Sequence, residues 1–136
     1  MNISEVNPYI RLATESTILA PSQINRRIIL DYELIYIENG RFRLTYNNEN
    51  YICQKGDILF LCPNIPHSFH IFETNLVQPH IHFDMQYAPD SRDVFICFQD
   101  YNQLSQKERA LIRENVFPSL KNTPPPSLKP ETMSFS

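Results

Sequence analysis

Residues 55–68 read K-G-D-I-L-F-L-C-P-N-I-P-H-S, and this stretch decides the fold. The K-G-D triplet at 55–57 is typical of a turn, and the apolar run 58–61 that follows has the length and composition of a buried β-strand. Prolines at positions 63 and 66 then predict a rigid loop, because proline fixes its own backbone angle. The loop therefore sets the direction of the next strand, which begins near His67.

The sequence on both sides continues as short strands separated by polar turns. Residues 27–37 are rich in Ile and Tyr, and residues 41–46 alternate polar with apolar side chains. Residues 47–50, N-N-E-N, predict a hairpin turn because asparagine tolerates left-handed backbone. This spacing predicts an all-β barrel or sandwich of about eight strands between Tyr9 and Gln99. The other strand candidates are 9–13, 51–53, 68–72, 77–85 and 93–99.

The two ends of the chain predict less β-structure. The first twenty-five residues are expected to form an arm with the one short strand at 9–13. Ser105 with Glu108 three residues later predicts a capped helix over 105–115, which Pro118 ends. Prolines at 124, 125, 126 and 130 predict an extended linker or tail. We therefore expect one domain over 1–118 and a proline-rich linker over 119–136.

Composition excludes several classes of function. A chain of 136 residues makes one domain, and 12 basic against 15 acidic residues give a net charge of −3, which disfavours nucleic-acid binding by the chain alone. Two glycines are too few for a phosphate-cradling loop. No run suits a membrane span or a signal peptide, and three cysteines without C-x-x-C spacing are read most simply as reduced thiols. We expect a cytoplasmic protein with no membrane partner.

All four histidines lie within the sixteen residues 67–82. His80 and His82 are two residues apart on a predicted strand, so their side chains share a face about 6.5–7 Å apart. Glu33 is an acid within an apolar run. Each of these residues alone has an ordinary alternative: a histidine with only a structural hydrogen bond, or a glutamate facing solvent at a sheet edge. The clustering favours a functional site.

Three segments resemble a known family. Glu33 followed by Gly40 resembles the end of the first cupin motif, and residues 56–67 resemble the second, with Asn64 where many cupins have glycine and Cys62 where proline is usual. More narrowly, D-Y-E-L-I-Y-I-E-N-G, the stretch 55–68 and H-I-H-F-D resemble the sensor domain of AraC-type transcriptional regulators over about residues 9–118. The resemblance implies an all-β, cupin-type double-stranded β-helix (a jelly-roll barrel) with a short C-terminal helix.

The metal ligands of cupins are only partly present. Metal-binding cupins carry a His-x-His pair shortly before the glutamate, whereas residues 26–29 here are R-R-I-I. Glu33 and His67 remain, which are too few to hold zinc or iron tightly. His80 and His82 could replace the missing ligands from a neighbouring strand. The sequence nevertheless predicts no resident metal and no cofactor.

The resemblance also implies which residues bind a ligand. In the family, the strand after the second motif and the strand that ends in the H-F dipeptide line the barrel's pocket. The residues of this sequence that correspond to these pocket positions suit hydrogen bonding to a hydroxyl-rich or carboxylate ligand, and the phenylalanine among them suits stacking on an apolar sugar face. No catalytic residue is predicted. The predicted ligand-binding residues are Arg27, Glu33, His67, Phe69, Gln78, His80 and His82.

The leading functional hypothesis is a non-catalytic sensor. The resemblance implies a regulatory domain that binds a small effector, a sugar being one candidate, and controls an attached helix-turn-helix domain. Nothing after Ser105 resembles such a region, so DNA is expected to be a partner only through a domain missing from this chain. The alternatives are a stand-alone cupin enzyme (an isomerase or a metal-dependent oxygenase) and a module that only dimerises. Homodimer formation is left open.

Overall fold

The computed structural model describes residues 3–116 and 127–128, and these are built almost entirely of antiparallel strands. The one α-helix of this described part, α1, spans Gln106–Arg109, and single turns of 3-10 helix lie at Ile3–Glu5 and Tyr101–Gln103. No helix among these residues is long and apolar enough to cross a membrane. The strands are β1 (Tyr9–Ile18), β2 (Ser22–Arg27), β3 (Tyr32–Tyr36), β4 (Arg41–Tyr46), β5 (Glu49–Gln54), β6 (Ile58–Leu61), β7 (His67–Ile71), β8 (Leu76–Asp84) and β9 (Ser127–Leu128).

The strands form two sheets. One has the order β1-β8-β3-β6-β9 and the other the order β2-β7-β4-β5, so that strands distant in sequence are neighbours in each sheet. This is the all-β jelly roll that the sequence predicted, with eight strands between Tyr9 and Asp84.

The core lies between the two sheets, because alternate residues of each strand point inward. Phe42 and Phe69 stack there with ring centroids 4.8 Å apart, and both rings are almost completely buried. Burial of such a side chain contributes roughly 1.5–3 kcal/mol to folding. The inward residues at one end of β3, β7 and β8 are instead polar, and that end forms the candidate site described below.

Left-handed residues make the tight turns. Asn47 and Asn48 have φ angles of 51° and 65°, as a two-residue hairpin turn between β4 and β5 requires. Asn64, predicted to accept a left-handed conformation in the proline loop, has φ 60°. Gly40 has φ 104°, and a Cβ there would lie 2.7 Å from the carbonyl oxygen of Asn75. Gly40 is therefore required both by its backbone angle and by the close approach of a neighbouring chain segment.

The prediction of one continuous strand over 27–37 was wrong. β2 ends at Arg27 and β3 begins at Tyr32, and the residues between them are buried on two sides. Ile29 belongs to the main core, whereas Ile28 and Leu30 pack in a second cluster against the segment 94–112. An apolar run buried on both sides resembles a strand in sequence, which explains the error. The N-terminal arm is also more ordered than predicted: β1 runs to Ile18 and β2 was missed.

The predicted strand at 93–99 is absent from the described part of the chain, and the predicted helix at 105–115 is much shorter. Val94 and Cys97 pack on the second cluster without a partner strand among the described residues, so the apolar run there reflects side-chain burial alone. Ser105 and Glu108 form the predicted capping box, but α1 ends at Arg109. The chain then leaves the helix, and the amide of Arg113 donates to the carbonyl of Leu30 at 2.7 Å.

The predicted linker lies mostly outside the described residues. Of residues 119–136, the structure describes β9, which pairs with β6 at Ile58 and Leu59. Pro118, the predicted end of the helix, lies outside the described residues as well. The boundary between domain and linker stays a prediction.

Candidate functional site

Glu33 and His82 lie side by side in the middle of a sheet. They are direct partners in the pairing of β3 with β8, and β3 is covered on its other side by β6. Glu33 is 3% exposed and points to the barrel interior. The alternative that Glu33 faces solvent at a sheet edge is therefore excluded by its position in a central strand.

His82 is held between two carboxylates. Its Nδ1 lies 3.0 Å from Oδ1 of Asp31, and its Nε2 lies 3.3 Å from Oε2 of Glu33. Burial alone would lower the pKa of His82, but the hydrogen bonds to Asp31 and Glu33 outweigh it and raise the pKa to about 9. Burial would likewise raise the pKa of Glu33, and the hydrogen bond and charge of His82 bring it below its usual value instead. At neutral pH the group is a buried carboxylate–imidazolium–carboxylate chain.

His67 has the opposite character. Burial lowers the pKa of His67 to about 4, so its ring is neutral. Its Nδ1 donates to the carbonyl oxygen of Ile65 at 3.0 Å, which leaves Nε2 with a lone pair. That Nε2 atom is buried and has no hydrogen-bond partner in residues 3–116 and 127–128. His67 therefore presents an acceptor to the barrel interior.

Arg27, at the end of β2, brings a positive charge near this group. Burial lowers the pKa of its guanidinium, and the negative charge of Glu33 acts in the opposite direction. The guanidinium carbon lies 5.1 Å from the ring centroid of Phe98, a cation–π distance. Its Nε atom is buried without a hydrogen-bond partner.

Gln78 and His80 continue the polar face along β8. Nε2 of Gln78 donates to Oγ of Ser16 at 3.2 Å, while its buried Oε1 has no partner. Nδ1 of His80 lies 2.9 Å from the carbonyl oxygen of Gln78 and donates to it, so Nε2 is the free ring nitrogen. His80 is half-buried and borders a surface depression of about 350 Å³ whose other walls are mostly apolar.

Phe69 is placed differently from the rest of the predicted set. Its ring is 1% exposed and packs on Phe42 in the core, 6.2 Å from the ring of His67. The stacking role assigned to Phe69 from the sequence stays a prediction. The same holds for the predicted convergence of His67, His80 and His82 on one cavity, although the charges of Glu33 and His82 act on the pKa of His67.

The hydrogen-bonding character of this end of the barrel follows from its unpartnered atoms. Among the described residues, the unpartnered atoms here are two acceptors, Oε1 of Glu33 and Nε2 of His67, and one donor, Nε of Arg27, while Oε1 of Gln78 is a further unpartnered acceptor four residues along β8 from His82. A buried polar group without a partner costs about 1–3 kcal/mol. These atoms are therefore suited to bind a ligand that supplies mostly hydrogen-bond donors.

Glu33, His80 and His82 also form a potential metal-binding group. One ligand atom from each lies within 4.8 Å of those of the other two. Glu33 and His82 are buried and His80 is half-buried.

A second charged cluster, which the sequence reasoning missed, adjoins the site through Asp31. The guanidinium of Arg11 lies 2.6 Å from Oδ2 of Asp31 and 3.0 Å from Oδ2 of Asp84. Arg113 reaches the same Asp84 oxygen at 3.1 Å, and the hydroxyl of Ser91 donates to it at 2.8 Å. Together these contacts lower the pKa of Asp84 against the opposing effect of burial.

The sequence contained signals for two members of this cluster. Asp31 stands two residues before Glu33 at the end of an apolar run, and Asp84 stands two residues after His82. Buried carboxylates need partners, so both positions indicated an unseen cation. Arg11 and Arg113 are distant in sequence from these acids, and nothing local to either arginine marks it.

Comparison with known proteins identifies the family. The fold is an all-β jelly roll of the cupin type with an apolar core and a group of buried polar side chains at one end. The family model described as the AraC-like ligand binding domain matches residues 21–114, well over half of the chain. The protein belongs to this family, as the resemblance of its three motifs implied. Among curated proteins, none has a sequence significantly similar to this chain.

Solved structures share the fold at low sequence identity. A conserved protein of unknown function from Streptococcus pyogenes is 14% identical with TM-score 0.51, over 64% of this chain and 88% of that one. YhaK from Escherichia coli is 14% identical with TM-score 0.51, over 65% and 44%. A protein described as a predicted oxalate decarboxylase from Thermotoga maritima is 19% identical with TM-score 0.50, over 57% and 68%. At these identities the similarity shows the fold alone.

Proposed function

We propose that this protein is the ligand-sensing domain of an AraC-type bacterial transcription regulator and that it binds a small, hydroxyl-rich effector, such as a sugar, at the polar end of its barrel. The domain is not an enzyme. It acts in the cytoplasm and controls a helix-turn-helix domain joined to it through the proline-rich segment 119–136. Membership of the AraC-like ligand binding domain family supports the regulatory role.

The observation that carries the choice of ligand is the set of buried acceptors without partners. Within the described part of the chain, Oε1 of Glu33, Nε2 of His67 and Oε1 of Gln78 each lack a hydrogen bond. A hydroxyl group donates one hydrogen bond and accepts others, so a polyol pairs with these acceptors and also with Nε of Arg27. A carboxylate ligand only accepts, which would leave the three acceptors unpaired and bring it close to the charge of Glu33.

The charges around the site also favour a neutral ligand. Glu33, Asp31 and Asp84 are opposed by His82, Arg27 and Arg11. Positive and negative charges are thus nearly balanced within the protein itself. A charged organic effector would find no uncompensated partner, whereas hydroxyl groups would gain charge-assisted hydrogen bonds.

The experiment is a thermal-shift screen of pentoses, hexoses, polyols and their sugar acids against the purified chain. A ligand at 100 times its Kd stabilises the folded state by about 2.7 kcal/mol, which raises Tm by on the order of 10 °C in a domain of this size. We expect a neutral polyhydroxylated compound to give such a shift and its acid to give less.

Two variants locate the binding. Glu33→Gln and His67→Gln each change one buried acceptor. Each variant should raise the Kd of the ligand at least tenfold and so reduce the ligand-induced rise in Tm. His70→Ala is the matched control, because His70 lies on β7 three residues from His67 and pairs with the outward-facing Arg43. A ligand that binds all three variants equally would show that the barrel interior is not the sensing site.

A stand-alone cupin enzyme is the alternative function. The group formed by Glu33, His80 and His82 is the observation that favours it, because metal-dependent oxygenases use two histidines and a carboxylate. The two functions differ in the fate of the ligand. A sensor releases its effector chemically unchanged after prolonged incubation with Fe²⁺ or Zn²⁺, whereas an isomerase or oxygenase converts it.

DNA binding and dimerisation are tested by separate experiments. The chain alone, with a net charge of −3, should give no salt-sensitive gel shift with DNA. Dimerisation of the isolated chain, measured by sedimentation with and without effector, would supply a means of regulation. A sequence-specific gel shift by this chain would contradict the assignment of DNA binding to an attached domain.

A further inference from the structure

Three side chains of the barrel are arranged as a metal-binding set. Glu33 and His82 are cross-strand partners, and His80 is two residues from His82 on the same face of β8. The imidazole rings of His80 and His82 have centroids 6.0 Å apart and an interplanar angle of 85°. The ligand atoms of all three residues lie within 4.8 Å of one another. That separation is compatible with one ion that binds each ligand at about 2.0–2.2 Å after small side-chain movements.

The second ring nitrogen of each histidine is already bound to protein. Nδ1 of His80 donates to the carbonyl oxygen of Gln78, and Nδ1 of His82 lies 3.0 Å from the carboxylate of Asp31. Histidines that bind metals in proteins usually have this outer contact, which orients the ring and directs the other nitrogen to the ion. In both residues Nε2 is thus the nitrogen available to a metal.

Glu33 supplies the carboxylate, and only one of its two oxygens contacts another side chain of the site. Its Oε2 contacts His82, while its Oε1 is buried and has no hydrogen-bond partner among the residues that the structure describes. The strand geometry fixes it, because β3 is held on one side by β8 and on the other by β6. A buried anionic oxygen without a partner next to two imidazoles favours a cation.

These three residues differ from the metal-ligand set of cupins, which the sequence has only in part. The prediction of no resident metal depended on the missing histidines at 26–29 and on the pair Glu33 and His67. The group found here uses neither position 26–29 nor His67, and takes both histidines from β8. The sequence reasoning named His80 and His82 as replacements but could not place them beside Glu33, because that requires the pairing of β3 with β8.

We propose that Glu33, His80 and His82 bind one divalent transition-metal ion, of the class of Zn²⁺, Co²⁺ or Ni²⁺, at the polar end of the barrel. Three protein ligands leave at least one coordination position open, and an oxygen of the effector can occupy it. The role of the ion in sensing rests on the proposed function, but the binding of the ion to these three residues does not.

The test uses Co²⁺ and Zn²⁺ with the full chain after treatment with a chelator. Isothermal titration should give one site per chain, and Co²⁺ should give visible absorption bands typical of coordination by nitrogen and oxygen. His80→Ala should weaken binding at least tenfold. His80 is half-buried and makes no ion pair with the residues that the structure describes, so we expect the variant to fold. Asp31→Asn should weaken it about 10- to 100-fold by loss of the outer contact to His82.

His70→Ala is the control and should bind Co²⁺ as the unaltered chain does. Absence of a binding signal would overturn the proposal, and so would equal binding by His80→Ala or loss of binding in His70→Ala. Repeating the thermal-shift screen with and without Zn²⁺ separates the two proposals. Metal binding without any effector leaves the metal site standing and defeats the sensor. The opposite outcome has two parts. If the chain gives no Co²⁺ signal and an effector binds equally tightly with and without Zn²⁺, the metal site is refuted and the sensor function is supported.

Discussion

Replacement of Asp31 by asparagine tests the charged interior most directly. Asp31 is 1% exposed and joins two groups: its Oδ2 binds Arg11 and its Oδ1 binds Nδ1 of His82. Asparagine keeps the size and shape of the side chain and removes only the charge. The variant therefore measures the electrostatic contribution of one buried carboxylate without creating a cavity.

The expected loss of stability at pH 7 is about 3 kcal/mol. Removing one partner of a buried ion pair costs about 3–5 kcal/mol, because the other charge stays buried without compensation. Arg11 retains Asp84 and His82 retains Glu33, which places the loss at the lower end. Against a total stability of about 5–15 kcal/mol, the variant should still fold.

The pH dependence provides an independent check on the cause. The pKa of His82 is about 9 in the folded protein and 6.5 in the reference state. A raised folded-state pKa gives stability that is complete below pH 6.5 and is lost as pH rises through 9. Over this window the loss amounts to about 3 kcal/mol, of which about 2 kcal/mol falls between pH 7 and pH 9. In Asp31→Asn one of the two carboxylates is gone, so the loss between pH 7 and pH 9 should fall to about 1 kcal/mol.

The assay is urea denaturation at pH 7, 8 and 9, with Asp100→Asn as the control. Asp100 pairs with Arg26 at 3.0 Å, but these side chains are 27% and 60% exposed, and such pairs contribute about 0–1 kcal/mol. Burial also raises the pKa of the thiols of Cys62 and Cys97, which affects stability above pH 8. That effect is common to all three proteins and cancels in the difference. Equal destabilisation by the two variants, or an unchanged pH slope in Asp31→Asn, would refute the reasoning.

Three further predictions follow from the backbone and from His67. Gly40→Ala should lower the free energy of unfolding in urea by at least 2 kcal/mol, because the added Cβ would meet the carbonyl of Asn75. Gly56→Ala has φ 94° but open space around the Cβ, so it should lower this free energy by only about 1 kcal/mol. Similar losses in the two variants would contradict the clash. His67 has a folded-state pKa of about 4, below its reference value of 6.5, so it contributes about 3 kcal/mol above pH 6.5 that is lost as pH falls toward 4. His67→Gln should flatten the stability profile from pH 7 to pH 4, and an unchanged profile would contradict a neutral buried ring. Asn64→Gly should leave Tm unchanged or higher and Asn64→Val should lower it, because φ is 60° there; equal Tm values would show that the loop relaxes.

The fold could be predicted because its signals are local. The K-G-D turn, the apolar strand and the proline loop at 55–68 each depend on a few consecutive residues, and so does the Asn47-Asn48 turn. Two of the errors occur where burial imitated a strand. The segment 93–99 is apolar because Val94 and Cys97 cover the second cluster, and no local feature distinguishes such an apolar run from a strand that pairs in a sheet.

The site was predicted only in part, for a related reason. Glu33 and His82 could be named from motifs, but their contact depends on the register between β3 and β8, strands that the chain separates by 39 residues. Asp31 stood beside Glu33 in the sequence, yet its partner Arg11 lies at the start of the domain. Long-range charge pairing has no periodicity, so it is invisible to pattern reasoning.

The stability of the fold does not by itself account for these buried charges. Glu33, Asp31 and His82 occupy positions that Leu or Phe would fill in an ordinary barrel, and apolar replacements of buried ion pairs are often neutral or stabilising. Elsewhere in the same interior, Phe42 and Phe69 stack on each other within a cluster of buried apolar side chains. The contrast within one interior favours binding as the reason for the charges. It also explains why Asp31 matters, because this one carboxylate orients His82 toward the site and anchors it through Arg11.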